Sequence, residues 1–174
     1  MNRYGFLFLS FALALPFSLL GQIKINANLL KLARESAEVS LDDQHLAVTV
    51  KSIEKSESDS GKYDVLEILS HDKKYFGMVD EVKGKTHFIT YMVLFRSDGV
   101  IEMLDVLIYR ESYGGEVDYA VFKNQFKGKS GSDHFTVGKN IRNISGATIS
   151  VNSVTRGVQK LTHQFELLKA NIKI

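Results

Sequence analysis

The fold is decided by the stretch HFITYMVLFRSDGVIEMLDVLIY, which occupies residues 87–109. Its two arms, 87–96 and 100–109, are rich in β-branched and aromatic residues, which suit the pleated surface of a strand. Between the arms, Ser97-Asp98-Gly99 has the composition of a hairpin turn, in which Gly99 supplies the unusual backbone angle. We therefore predict two antiparallel strands at the centre of the chain.

Further elements are predicted on the amino-terminal side of this hairpin. Residues 46–53 and 74–80 read as strands, and the apolar spacing of residues 28–39 predicts a helix. Residues 64–69 are predicted to form a short helix, and the polar run 54–62 a solvated loop.

A long amphipathic helix is predicted at the carboxyl end. Its apolar residues recur every three or four positions and form one stripe, at Val151, Val154, Val158, Leu161, Phe165 and Leu168. A shorter helix is predicted over 116–126, with Tyr119, Phe122 and Phe126 on one side. Together with the strands, these helices predict an α+β fold, a curved antiparallel sheet with packed helices.

The loop before the terminal helix, NISGATISV at 143–151, consists mainly of small and hydroxyl-bearing residues. Free N–H groups and the helix dipole favour a phosphate at such a position, which suggests a phosphate-bearing cofactor. An alternative is a plain cap and turn, because Ser145, Thr148, Ser150 and Ser153 are all capping types. Spacing alone leaves both interpretations open.

Composition restricts the classes of function. The 174 residues, 44% of them apolar, fit one globular domain with a leader. The 22 basic and 20 acidic residues nearly balance, so nucleic acid is not an expected partner. The chain has no cysteine, which excludes disulfides, thiolate metal sites and cysteinyl flavin links. Its five histidines are scattered, and we predict no metal site.

The amino terminus is typical of an export signal. After Arg3, residues 4–21 are uncharged and mostly apolar, with Pro16 towards the end of the run. We interpret residues 1–21 as a signal peptide that is cleaved near Gly21-Gln22. The alternative is an uncleaved membrane anchor, although the run is slightly short for a bilayer span of ~20 residues. Both interpretations place the protein outside the cytoplasm, in the periplasm.

Four segments of the second half of the chain, from Tyr75 onward, carry a family resemblance. They are GMVDEVKGK at 77–85, YRESYGGEV at 109–117, FKNQFKGK at 122–129 and ISGAT at 144–148. In this order they resemble segments of the FMN-binding domain family, and ISGAT looks like its flavinylation motif. That domain occurs in subunits of the Rnf electron-transport complex and of the sodium-translocating NADH:quinone reductase, and in stand-alone extracytoplasmic proteins.

The resemblance implies FMN as the cofactor. In this family a separate flavin transferase moves the FMN moiety of FAD onto the motif threonine, Thr148 here, as a phosphoester. No base adjoins Thr148 in sequence, so we expect an acceptor and assign no catalytic residue. The implied cofactor-binding residues are Ser145, Gly146, Ala147, Thr148 and Ser150 in the motif, and Glu111, Ser112, Tyr113, Gly114 and Gly115 in the loop beside the flavin.

One position departs from the family pattern. Arg142 stands where members usually carry an acidic residue, three positions before the motif serine. The reversed charge would weaken recognition by the transferase, or the Arg142 guanidinium would pair with the cofactor phosphate. We still predict a modified Thr148.

The resemblance also implies a division of the chain and a function. We expect residues 1–21 to be the leader, 22–71 a helix/strand extension and 72–174 the FMN-binding domain. The expected function is electron transfer by bound FMN, with a membrane oxidoreductase or cytochrome as redox partner. Alternatives are a flavin-dependent reductase of a small extracytoplasmic acceptor, and a cofactor-free structural module.

Overall fold

The computed structural model describes residues 24–54, 62–169 and 172. Five strands form one antiparallel sheet in chain order, β1 (Ala47–Glu54), β2 (Lys62–Ser70), β3 (Lys73–Lys83), β4 (Phe88–Arg96) and β5 (Ile101–Ile108). The helices are α1 (Ala27–Leu41), the short α2 (Ala120–Lys123) and α3 (Thr148–Lys169). The α+β class and the central hairpin are thereby confirmed. Gly99, at φ 91°, makes the turn between β4 and β5.

The sheet is buried on both faces, since alternate residues of each central strand point to opposite sides. On β4, Ile89, Tyr91, Val93 and Phe95 join the core beneath α3, while Met92 and Leu94 join the core beneath α1. The central positions of β4 are therefore all buried. The molecule has three layers, with α1 and α3 on opposite faces of the sheet.

Helix α1 and the first two strands belong to this same three-layer unit. Asn26 caps α1 by accepting a hydrogen bond from the Leu29 N–H at 3.0 Å, and Ala33 and Ala37 are fully buried. Segment 22–71 thus contributes two of the five strands and the helix α1, which packs on one face of the sheet.

Helix α3 covers the other face. All six residues of its predicted apolar stripe are buried, and Phe165 stacks on Phe95 with ring centroids 4.4 Å apart. Gly157 lets the helix approach closely, because a Cβ there would collide with the Tyr91 hydroxyl and lie 2.7 Å from Val82 Cγ1. The sheet thus fixes the position of α3, and with it the position of Thr148.

The predicted helix over 64–69 is wrong, since these residues lie in β2. Val65 packs into the core under α3, whereas Leu66 and Ile68 pack under α1. A short apolar run that is buried on both faces lacks the polar alternation that marks a half-exposed strand. Pairing with two neighbouring strands stabilises β2 as a strand.

The predicted helix over 116–126 is wrong in extent. Residues Gly115–Asp118 form a 3₁₀ turn, and α2 occupies only Ala120–Lys123. The break falls at Tyr119, which adopts an extended conformation and is 62% exposed. Phe122 and Phe126 are buried as expected. Anchoring these two rings requires only a short helical turn.

Two predicted segments fall wholly or largely outside the described residues. They are the leader, 1–21, and most of the loop 54–62. Within residues 24–54, 62–169 and 172, no helix combines the length and apolar character needed to cross a bilayer.

Candidate functional site

The start of α3 presents an exposed hydroxyl and free N–H groups. Gly146 adopts a φ of 87°, and the chain turns there before Ala147 accepts the first helical hydrogen bond, from Val151 N at 2.9 Å. Among the described residues, the backbone N–H groups of Thr148, Ile149 and Ser150 find no acceptor. The helix start therefore keeps its donors and its positive dipole end available for an anion.

Thr148 is the first residue of α3, and its side chain is exposed. Its hydroxyl receives one long hydrogen bond, from Asn143 Nδ2 at 3.3 Å. An amide N–H is a donor and cannot remove the hydroxyl proton. Thr148 is thus accessible but has no base beside it among the described residues. This environment suits an acceptor of a group transferred by another protein, and it does not suit a nucleophile activated within the chain.

The loop 112–115 packs directly against this helix start. Gly114 has a φ of 84°, and a Cβ on it would lie 2.7 Å from Ser150 Oγ and 3.5 Å from Ala147 Cα. Both the backbone angle and the lack of space therefore require glycine here. The structure thus brings two of the sequence-predicted segments, 112–115 and 145–150, into contact.

Tyr109 joins the two segments. Its hydroxyl donates to the Tyr113 carbonyl at 2.6 Å and lies 3.1 Å from Ser150 Oγ. Partial burial raises the pKa of Tyr109 above its ordinary value, so the phenol stays protonated and able to donate. Tyr109 is not among the site residues predicted from the sequence. Its position at the end of β5, immediately before the loop, was the available signal.

Two apolar side chains are exposed beside this junction. Tyr113 is 84% exposed and Ile149 is 51% exposed. Tyr113 is itself held by Tyr109, and Ile149 adjoins Ser150 in the chain. Ser112 and Ser145 are also exposed, and Gly115 begins the 3₁₀ turn. The surface around Thr148 is therefore open and partly apolar.

Glu111 makes its contacts at the turn between β3 and β4. Its carboxylate accepts hydrogen bonds from Thr86 N at 2.6 Å and His87 N at 2.9 Å. The N–H of Thr86, as the larger effect, and that of His87 lower the pKa of Glu111, because these bonds stabilise the ionised form. A Cβ on Gly84 would collide with the same carboxylate. Among the described residues, no hydrogen bond or ion pair joins Glu111 to the start of α3, and its carboxylate holds the 84–87 turn.

The segment before the motif is tied to the α2 region. Gln125 Oε1 accepts a hydrogen bond from Arg142 N at 2.6 Å. The Arg142 side chain is exposed, two residues before the Ile144 carbonyl that closes the Gly146 turn. Gln125 thus positions the approach to the motif through the backbone of Arg142.

The structure combines a five-stranded antiparallel sheet, a long closing helix and an exposed threonine at the start of that helix. Residues 84–163 match the family model of the FMN-binding domain. The chain therefore carries an FMN-binding domain, and its cofactor is FMN. The match includes the loop 109–117 and the motif 144–148, both of which carried the resemblance.

A solved structure with the same fold is that of a subunit of the Na(+)-translocating NADH-quinone reductase from Parabacteroides distasonis ATCC 8503. It shares 18% sequence identity with this chain and aligns with a TM-score of 0.52, over 86% of this chain and 97% of the other. At this identity the likeness is one of fold. A comparison with curated proteins found no match.

The residues at the start of α3 fit FMN on their own geometry. The unused N–H groups would receive the phosphate, and the space beside Gly146 is open, since a Cβ there would have no neighbour within 4 Å.

Proposed function

We propose that this protein is an electron carrier outside the cytoplasm. Its electrons are carried by FMN that is attached covalently through Thr148. The observation that carries the proposal is the exposed Thr148 hydroxyl beside unused N–H groups at the start of α3. Bound flavin accepts electrons singly or in pairs, so a carrier of this kind joins two-electron donors to one-electron acceptors.

The chain's own part is binding and orientation. The N–H groups of Thr148, Ile149 and Ser150 hold the phosphate at the positive end of the α3 dipole. Tyr113 and Ile149 offer apolar surface for the ring system, because both are exposed beside the junction made by Tyr109. Gly114 keeps the loop close enough to the helix for one cofactor to contact both.

The attachment would be a phosphoryl transfer from FAD. Thr148 Oγ bonds to the phosphorus of the FMN half, the bond between the two phosphates of FAD breaks, and AMP leaves. The hydroxyl proton passes to a base of the flavin transferase, because Thr148 has no base among the described residues. Since Thr148 is exposed and Gly146 leaves open space next to it, the transferase can reach the hydroxyl.

Intact mass spectrometry tests this proposal. The protein is expressed with and without a flavin transferase, as wild type, Thr148→Ala and Thr136→Ala. Thr136 is the matched control, since it is an exposed threonine outside the motif. We expect an added FMN mass in wild type and Thr136→Ala only with the transferase, and none in Thr148→Ala. An unchanged wild-type mass with an active transferase would overturn the covalent link. If the yellow colour is then lost on denaturation, FMN is bound non-covalently.

Export is supported by the apolar, uncharged run that follows Arg3. The redox partner would then be a membrane oxidoreductase or a cytochrome at the outer face of the cytoplasmic membrane. Cell fractionation and amino-terminal sequencing of the recovered protein test the location. We expect periplasmic protein that begins near Gln22, and protein retained in the cytoplasm with residues 1–21 intact would contradict export.

A further inference from the structure

A second concave site lies along α3, away from Thr148. The pocket has a volume of about 420 Å³ and is formed by the loop 130–135 and one face of α3. The helix contributes Arg156, Gln159, Lys160 and His163, spaced so that they share one face. Arg156 lies eight residues after Thr148, about 12 Å along the helix axis at about 1.5 Å per residue.

The pocket lining contains two cations, Arg156 and Lys160, and one carboxylate, Asp133. Arg156 is exposed at the pocket wall. Among the described residues, its guanidinium has no carboxylate or hydrogen-bond partner. Lys160 pairs with the buried Asp80 at 3.1 Å. Asp133 lines the pocket, but its carboxylate accepts hydrogen bonds from Ser130 N at 2.8 Å and Ser130 Oγ at 3.2 Å. Arg156 is therefore the cation left to bind a ligand.

The remaining lining indicates the class of ligand. His134 and His163 supply ring N–H groups, and Gln159 supplies an amide. Phe135, which is 6% exposed, adds apolar surface. The volume falls in the range of small-molecule sites, about 300–1,000 Å³. A guanidinium with a planar fork of donors matches a carboxylate or a phosphate.

We propose that this pocket binds a small organic anion that carries a carboxylate or phosphate group, with Arg156 as its main charge partner. The site is separate from the one that holds FMN and does not depend on flavin attachment.

Chemical-shift titration of the ¹⁵N-labelled protein tests the proposal, with inorganic phosphate and citrate as the two probes. Ionic strength is held constant with sodium chloride, so that screening of surface charge does not change. We expect saturable shifts confined to amides of residues 130–135 and 156–163 with at least one probe. The probe that saturates the shifts at the lower concentration carries the preferred group, phosphate or carboxylate.

The variant Arg156→Gln keeps the helix and removes the charge, and Lys139→Gln is the control, an exposed cation that does not line the pocket. We expect Arg156→Gln to weaken binding about tenfold or more, as the loss of a charge-assisted hydrogen bond does, and Lys139→Gln to leave it unchanged. Shifts that grow linearly with both probes, that spread over the whole surface, or that persist unchanged in Arg156→Gln would overturn the proposal.

Discussion

Tyr109 is the residue on which the geometry of the FMN site depends most directly. Its hydroxyl connects the 112–115 loop to the first turn of α3 through Tyr113 and Ser150. Glycines 114 and 115 were recognisable from sequence because paired glycines stand out. Tyr109 opens the segment 109–117 but was not singled out within it, because only the fold shows that residues 109 and 150 meet.

Replacing Tyr109 with Phe should loosen this junction. The change removes the hydrogen bond to Tyr113 and leaves the Ser150 hydroxyl without its partner, at a cost of about 1 kcal/mol in the free energy of unfolding. Flavin fluorescence anisotropy of the loaded protein should also fall, because the ring contacts become mobile. Tyr119→Phe, at a position that is 62% exposed, is the control and should change neither measurement. Equal anisotropy in wild type and Tyr109→Phe would remove Tyr109 from the site.

Gly114 should tolerate no side chain. Gly114→Ala combines the strain of a φ of 84° with a Cβ placed 2.7 Å from Ser150 Oγ, so we expect a loss of about 2–3 kcal/mol. Gly128→Ala is the matched control, because its φ of 82° gives similar strain while nothing lies within 4 Å. Urea unfolding of both variants separates strain from crowding. A cost for Gly114→Ala no larger than that of Gly128→Ala would show that the loop does not press on the helix start.

At the scale of elements, periodicity predicted α3 well and β2 badly. Helix α3 has an apolar side, formed by the stripe from Val151 to Leu168, and a polar side. This is the pattern expected of a helix that packs on a sheet. In β2, Val65 is buried towards α3 while Leu66 and Ile68 are buried towards α1, so the apolar pattern has no single buried side. The break at Tyr119 escaped prediction because the spacing of Tyr119, Phe122 and Phe126 fits one continuous helix, although Tyr119 is extended and 62% exposed.

The ion pair between Lys160 on α3 and Asp80 on β3 links helix to sheet. Asp80 is 3% exposed, so Lys160→Met would leave a buried carboxylate without its partner. We expect a loss of about 1–3 kcal/mol in the free energy of unfolding, measured by urea denaturation. The control is Lys31→Met, which removes an exposed pair with Glu35 at 3.8 Å and should cost under about 0.5 kcal/mol.

Adding Asp80→Asn to Lys160→Met should recover part of the stability, since the buried charge is then gone. If Lys160→Met costs no more than Lys31→Met, the pair does not contribute to docking of α3.

For the whole molecule, the class of fold followed from composition and pattern, whereas the assembly of the site did not. Strand-like segments, a turn at 97–99 and two amphipathic helices suffice for an α+β prediction. The amino-terminal strands join the sheet through hairpins between consecutive strands, and they were missed in part because residues 64–69 read as a helix. The bonds from Thr86 and His87 to Glu111, in contrast, join residues 25 and 24 positions apart. Such contacts leave no periodic signal.

The core should make the whole protein sensitive to alkali through Tyr91. Complete burial, and secondarily the nearby Asp80 carboxylate, raise the pKa of Tyr91 well above its ordinary 10.0. In the unfolded chain the phenol ionises near its ordinary value, whereas in the folded protein it stays protonated. Its contribution to stability is therefore complete below about pH 10 and is lost as the pH rises further, by up to about 1.4 kcal/mol per pH unit.

Urea denaturation between pH 8 and 11 of wild type, Tyr91→Phe and Tyr113→Phe measures this effect. Tyr91→Phe should flatten the alkaline decline, while Tyr113→Phe, at a site that is 84% exposed, should leave it as in wild type. The same slope in all three proteins would show that Tyr91 ionises freely in the fold.

Peptide mapping can locate FMN at the start of α3, where we propose that Thr148 holds it. Trypsin cuts after Arg142 and Arg156, which releases the peptide Asn143–Arg156 with Thr148 inside it. From cells that contain a flavin transferase, we expect this peptide to carry FMN, with fragment ions that assign the added mass to Thr148. An unmodified 143–156 peptide from a yellow protein, with the flavin mass on another peptide or on none, would rule out attachment of FMN to Thr148.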